Sequence, residues 1–380
     1  MIKLKILVEN RKNIFLKDEF GLSVLVNAFG NKFLFDTGYS RNFRKNARVL
    51  MVNLKKIKKV VLSHGHSDHS NGVQFLPYKR IIFVNPNVYK PRWSISTGKF
   101  SGFPMERAEF IKKHNVIETT NFLQIQPNCF YLGEIPMVVD FEKDGNFATT
   151  LDEELTQVDY TEDDSGVAIT TEQGLFVMTG CGHRGICNVI EHAKKVTGQS
   201  KIYAVFGGFH LRDLEKQREK IDSTISYLKS NGIKELFLGH CITDEVISYF
   251  KKNLKGVKIM KLRTGRTFRL HLNPLQKVYG KKFTLDEQEL SKLIDIVCED
   301  KELCGVVHKI VNKIISYPDK EIFSIASLID YNAKISLINP INQGKILRCV
   351  KKVCGVLNIS IVAVQDGFTG LAYHYKYKKM

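Results

Sequence analysis

Ser63-His64-Gly65-His66-Ser67-Asp68-His69 places three imidazoles and one carboxylate in a single stretch, directly after the apolar run Val60-Val61-Leu62. Rings this close, if buried together without a cation, would be partly charged and mutually repelling. A metal ion resolves the conflict. From a loop, His64 and His66 can point two ring nitrogens at one ion, while Asp68 and His69 turn toward a second position nearby. Nitrogen and oxygen donors of this kind suit Zn²⁺, Mn²⁺ or Fe²⁺. A polar loop with surface histidines is the competing reading, and a position at the end of an apolar strand argues against it.

Three more histidines close strand-like runs. His183 follows LFVMTG and a glycine-flanked turn, His240 ends ELFLGH, and His210 ends YAVFGGFH, where it reads as a ligand or a substrate contact. His114, His192, His271, His308 and His374 have no matching partner and read as ordinary residues.

The string His64-x-His66-x-Asp68-His69 is the HxHxDH signature of the metallo-β-lactamase superfamily, which the chain resembles in further motifs. Leu34-Phe35-Asp36-Thr37-Gly38 is similar to the superfamily's strand-ending aspartate, whose carboxylate buttresses the metal loop by fixing imidazole orientation. Thr179-Gly180-Cys181-Gly182-His183-Arg184, Phe206-Gly207-Gly208-Phe209-His210 and Leu238-Gly239-His240-Cys241 resemble one branch, that of the archaeal dihydropterin ribofuranosylaminobenzene phosphate synthases and their relatives. The resemblance covers about residues 1–272. It implies two divalent metal ions, most simply zinc with manganese or iron as alternatives. His64, His66 and His183 would hold one, and Asp68, His69 and His240 the other. Where many members carry an aspartate after Thr-Gly, this chain has Cys181, either a metal-binding thiolate or a thiol just behind the ions.

The implied activity is that of a hydrolase or related transferase in which a metal-bound hydroxide attacks and Asp68 orients it or accepts its proton. Arg184 and His210 are candidate contacts for a small anionic, phosphorylated or pterin-like substrate. A nuclease or phosphodiesterase of the same fold and a non-catalytic metal sensor remain alternatives. A di-iron redox role is disfavoured, because the glutamate such members carry is replaced by His66. Cys187 and Cys241 read as structural thiols.

These groups need a scaffold to bring them together. Alternating apolar runs (KLKILVEN, GLSVLVNAFG, NKFLFDTG, KKVVL) predict neighbouring strands, with helical spacing over 42–57 between the last two. A strand-rich block follows over 129–180. Helices then alternate with strands: helix 185–197, KIYAVFGGFH, helix 212–230, ELFLGH, helix 243–253, GVKIMKL and TFRLHL. The resemblance implies an α/β fold, the αββα sandwich of two packed sheets with helices outside and the site at one edge. A smaller α+β domain is expected after it, giving residues 1–273 as the metallo-β-lactamase-like domain and 274–380 as a second domain of open role. In the latter, 284–316 reads as largely helical, with KISLI and ISIVAVQ as strands around a helix near 343–353. Cys298, Cys304, Cys349 and Cys354 have spacings unlike a zinc ribbon and read as buried thiols.

With 380 residues, 43% of them apolar, the chain supports a sizeable core and is neither a disulfide miniprotein nor a disordered polyelectrolyte. The formal net charge of +18 is uneven: residues 1–100 carry 19 basic and 5 acidic groups, residues 101–200 carry 7 and 16. A basic field favours an anionic partner. A small anion is preferred, nucleic acid is less favoured, and the oligomeric state is open. The run Lys55, Lys56, Lys58, Lys59 reads as a solvated helix face, and Lys261, Arg263, Arg266 and Arg269 as a solvated stripe. Segment 92–107 is either a substrate loop over the metals or an ordinary surface loop. The N-terminus has no signal-peptide pattern and no window approaches a membrane span, so a cytoplasmic protein without a membrane partner is expected.

Overall fold

The computed structural model describes residues 1–143 and 148–275 throughout. Beyond them it describes 291–292, 294–295, 298, 301–316, 322–324, 345–346, 349–350, 352–353, 359–365 and 373–379. The chain forms two compact units, the first made of residues 1–123 and 128–276.

In the first unit, one sheet is built from β1 (Ile2–Val8), β2 (Ser23–Ala28), β3 (Asn31–Phe35), β4 (Lys59–Val61), β5 (Ile81–Val84), β7 (Asn115–Glu118) and β16 (Thr267–Leu270). Their order is β16-β1-β2-β3-β4-β5-β7, antiparallel through the hairpins and parallel from β3 to β7. The short strands β6 (Trp93–Ser94) and β10 (Thr149–Thr150) pair with each other as a separate ribbon. The second sheet runs β15 (Lys258–Lys261), β14 (Glu235–Leu238), β13 (Ile202–Gly207), β12 (Leu175–Thr179), β11 (Gly166–Ile169) and β9 (Cys129–Tyr131) across the first unit. Its last three crossovers are parallel, the connection that a strand, helix, strand alternation demands.

Helices cover the outer faces. Phe43 and Ala47 of α1 (Asn42–Val49) and Phe110 of α3 (Arg107–Lys113) pack with Leu34, Val60 and Ile82 over the first sheet. Val189, Ile190 and Ala193 of α4 (Ile186–Thr197), Ile221 and Leu228 of α5 (Arg218–Ser230), and Val246 and Phe250 of α6 (Asp244–Asn253) cover the second. Between the sheets lie the alternate side chains: Phe237 of β14 meets Phe268 of β16 edge-on at 5.0 Å. Each such buried ring contributes about 1.5–3 kcal/mol. The architecture is the αββα sandwich the resemblance implied.

Several expectations need correcting. The helix expected over 42–57 ends at Val49, and Lys55 and Lys56 lie in a single 3₁₀ turn started by Asn53, whose side chain accepts from Lys55 N. The lysine run is therefore a turn entering β4, not a helix face. Residues 212–217 form turns, so α5 starts later than its sequence suggests, after the Gln217 side chain has taken up the Arg212 and Asp213 amides. TFRLHL does not continue the second sheet: β16 pairs antiparallel with β1, Ile2 opposite Leu270, and closes the first sheet with the end of the unit. Strands β5 and β7 went unread, because IIFV and NVIE are too short to show a period.

The second unit includes residues 124–127, most of β8 (Leu123–Gln126). It also holds α7 (Lys301–Ser316) and the antiparallel strands β17 (Ile322–Ser324), β18 (Ile359–Gln365) and β19 (Tyr373–Lys379), in the order β17-β19-β18. The Cys298 and Cys349 sulfurs approach to 3.3 Å. KISLI and Cys354 lie outside the described residues. No helix among the described residues is long and apolar enough to cross a membrane.

Candidate metal centre

The loop after β4 and the ends of β12, β13 and β14 meet at one edge of the sandwich. A short helix, α2 (Ser67–Ser70), carries Asp68 and His69. Three non-glycine residues take left-handed backbone where their strands end: Asp36 (φ 55°), His210 (φ 51°) and His240 (φ 57°). Such conformations are disfavoured for side-chain-bearing residues and cluster where function needs a group aimed off a strand. Close approach of the two sheets' loops is needed as well. A Cβ on Gly180 would sit 2.2 Å from Ser63 Oγ, so only glycine lets the Thr179-Gly180-Cys181 turn reach the histidine loop.

The rings are in mutual contact. His64 lies 4.6 Å from His66, 4.3 Å from His69 and 5.0 Å from His183 between ring centroids. His183 is also 4.5 Å from His210, and His69 is 4.5 Å from His240. His64, His66 and His183 bring one donor atom each within 4.8 Å of one another, as do Asp68, His69 and His240. Cys181 makes a further such group with His64 and His69, and another with His240 and Cys241. All six expected ligands and Cys181 thus share one buried cluster, with Asp68 half-open to the cavity.

Proton bookkeeping shows which ring nitrogens face inward. Asp36, fully buried, accepts from Ser63 N at 2.7 Å, Ser63 Oγ at 2.8 Å and His69 Nδ1 at 2.8 Å. Having given its proton to Asp36, the Ser63 hydroxyl accepts from His64 Nδ1 at 2.9 Å. His240 Nδ1 donates to Asn10 Oδ1 at 3.1 Å. In the neutral rings the Nε2 atoms of His64, His69 and His240 therefore carry the lone pairs. His64 Nε2 is buried without a hydrogen-bond partner. The Nε2 atoms of His69 and His240 stand only 2.8 Å apart, Asp68 Oδ2 is 3.1 Å from His240 Nε2, and Cys181 Sγ is 3.2 Å from His69 Nε2. Facing lone pairs at this distance repel unless a cation or a proton lies between them.

The titration behaviour agrees. Burial, helped by His69, His66 and His183, drives His64 well below the ordinary histidine value and keeps it neutral. Burial also disfavours charge on His69, yet Asp68 and Asp36 overcome it and push the ring up to about 9. Asp68 is held well below the usual carboxylate range by His69 and His240, against the effect of burial. The positive charge that two carboxylates demand is thus met by a proton on His69, in the place where a divalent cation fits. Burial pushes the Cys181 thiol well up, while Cys241, receiving the Cys181 hydrogen bond beside His240 and Arg212, shifts down despite burial.

A cavity of about 550 Å³ opens onto the cluster, lined by His66, Asp68, Cys181, His183, His210, Phe20, Tyr39, Lys99, Thr149 and Arg212. Segment 92–107 supplies part of its wall through Ser94, Ile95 and Ser101. His210 Nε2 is buried and unpartnered. Arg184 is not among the lining residues: its Nε donates to the Ile135 carbonyl at 3.0 Å and its backbone N–H to Asp164, so the side chain braces the turn before α4. Arg212 and Lys99, and not Arg184, bring positive charge to the cavity lining. Sequence reasoning also passed over Asn10 and Asp159, which carry no motif and reach the site only through folding.

The family model described as the metallo-beta-lactamase superfamily matches residues 16–83. Over 255 residues, 62% of this chain and 85% of the relative, the chain is 33% identical to 7,8-dihydropterin-6-methyl-4-(beta-D-ribofuranosyl)-aminobenzene-5'-phosphate synthase of Methanocaldococcus jannaschii. It is 28% identical over 231 residues, 60% of this chain and 86% of the relative, to an uncharacterised protein of the same archaeon. The crystal structure of Tm1679, a metal-dependent hydrolase of the beta-lactamase superfamily, superposes with a TM-score of 0.61 at 26% identity, covering 71% of this chain and 99% of that one.

Proposed function

Because the chain belongs to the metallo-β-lactamase superfamily, we propose that its buried cluster binds two divalent cations and that the protein is a hydrolase or related transferase of a small anionic substrate. One observation carries this reading: His69 Nε2 and His240 Nε2 stand 2.8 Å apart beside the Asp68 carboxylate, a contact that requires either a shared proton or a cation between the two nitrogens. His64, His66 and His183 would hold one ion, and Asp68, His69 and His240 the other, with Cys181 in reach of both. Zinc suits this mixture of imidazole, carboxylate and thiol donors. Such ions supply Lewis-acid activation and a nucleophile at neutral pH.

The chain's own residues do the rest. Asp68, which borders both the rings and the cavity, accepts a proton released there. His210 Nε2 offers a buried hydrogen-bonding atom in the cavity lining beside His183. Lys99 and Arg212 give the wall positive charge, which favours a carboxylate or phosphate. The archaeal relative is named for a product carrying a dihydropterin and a 5'-phosphate, so the substrate class we favour here is a small phosphorylated or pterin-like anion.

The test offers phosphodiesters, lactones, RNA and a dihydropterin with ribofuranosylaminobenzene 5'-phosphate to the full chain, with and without added Zn²⁺, Mn²⁺ or Fe²⁺. Turnover of a small anion that Asp68→Asn lowers by about 10²-fold or more supports the proposal. Cleavage of RNA alone would reverse the substrate class, and metal binding without any turnover would make the protein a metal sensor or carrier.

A further inference from the structure

Asp36 explains the orientation of His64 and His69 but does not touch His66, whose ring is held from the other side. His66 Nε2 lies 2.9 Å from Thr149 Oγ1, which in turn lies 2.8 Å from Asp159 Oδ2. Asp159 Oδ2 also accepts from Arg92 Nε at 2.6 Å, and Arg92 Nη2 donates to Asp163 Oδ1 at 2.6 Å. The other Asp163 oxygen accepts from the backbone N–H of Gly65, between the two histidines, at 2.7 Å. Arg92 is fully buried, the largest such side chain among the described residues. A guanidinium in that position is stable only while both carboxylates face it.

We infer that Thr149, Asp159, Arg92 and Asp163 form a positioning network that fixes the tautomer and direction of the His66 ring, as Asp36 does for His64 and His69. The chain of donors leaves one solution. Asp159, already paired with Arg92, is acceptor-only, so the Thr149 hydroxyl must donate to it. The same hydroxyl then accepts from His66, so the His66 proton resides on Nε2 and the lone pair on Nδ1. Asp163 holds the Gly65 backbone in the same frame. A Cβ at Gly65 would lie 2.5 Å from Arg92 Nη1, so the arginine and the loop are fitted to each other. The network also ties the metal loop to the cavity wall, since Ser101 N donates to Arg92 O and Ser67 N to Ser101 O, both at 2.8 Å.

This inference rests on the metal-binding reading, and its test separates the two. In metal-free full chain, long-range ¹H–¹⁵N correlation of the histidine rings should show His66 protonated at Nε2 alone. Thr149→Val should give mixed tautomers, and Thr149→Ser should restore the native one. By chelator competition, Thr149→Val should weaken Zn²⁺ binding about 10–100-fold and Thr149→Ser should stay near wild type. A changed His66 tautomer in a chain that binds no Zn²⁺ at all would uphold the network and refute the metal reading. Unchanged His66 signals and Zn²⁺ affinity in Thr149→Val would overturn the network, whatever the metal does.

Discussion

The two halves of the centre are built by opposite routes. The loop after β4 delivers His64, His66, Asp68 and His69 from one continuous stretch, so their geometry is local and their spacing declares it. The second sheet delivers Cys181, His183, His210 and His240 one strand end at a time: Cys181 and His183 after the antiparallel β11–β12 pair, His210 and His240 only after crossover helices return the chain to the same edge. The local half is stiffened by hydroxyl relays to carboxylates, Ser63 to Asp36 and Thr149 to Asp159. The dispersed half relies on backbone: left-handed residues at His210 and His240, and the Glu9 carboxylate and Asn10 amide gripping the His240 main chain at 2.8 and 2.9 Å. A short motif can be read from sequence because its chemistry is self-contained, whereas a ligand set spread over strand ends is readable only where each end repeats a recognisable pattern.

Perturbations should separate the halves. The largest effect is expected of Asp36→Ala, which strips Ser63 N, Ser63 Oγ and His69 Nδ1 of their buried acceptor. It should cost about 3–5 kcal/mol in urea unfolding and weaken both proposed metal sites, because Asp36 orients His69 directly and His64 through Ser63. His64→Ala and His240→Ala should each remove one metal equivalent by elemental analysis while the other remains. Loss of both from either variant would mean that the two sites act as one unit. Gly180→Ala forces a methyl against Ser63 Oγ, 2.2 Å away, and should destabilise by about 1–3 kcal/mol in the same unfolding assay. Least affected should be Thr243→Ala, which removes the hydroxyl capping α6 at Val246 N just beyond His240. It should cost about 1 kcal/mol and leave the metal content unchanged.

Most strands of both sheets were legible, because KLKILV, NKFLF and ELFL combine β-branched and aromatic residues with clear turn signals. Less visible was where each strand pairs: β16 follows β15 in sequence yet crosses to the other sheet, a choice made by burial of Phe268 against Phe237 and not by any local signal. At the centre, the HxHxDH loop and the strand-ending histidines were found from type and position. Arg92, Asp159 and Asp163 escaped notice because an arginine or aspartate in an irregular loop reads as solvated surface, and only packing shows these three to be buried together. Arg184 shows the converse. Its place beside His183 suggested a substrate contact, but the turn before α4 needs a donor for the Ile135 carbonyl.

The central claim is that His64, His66, Asp68, His69, His183 and His240 converge to hold cations. Native mass spectrometry of the full chain, purified without chelator and then exposed to excess Zn²⁺, weighs that directly. The account predicts a species two zinc ions heavier than the metal-free chain, and only the metal-free mass when His64→Ala and His240→Ala are combined. Equal masses for the native protein before and after zinc, or undiminished zinc uptake by the double variant, would contradict it.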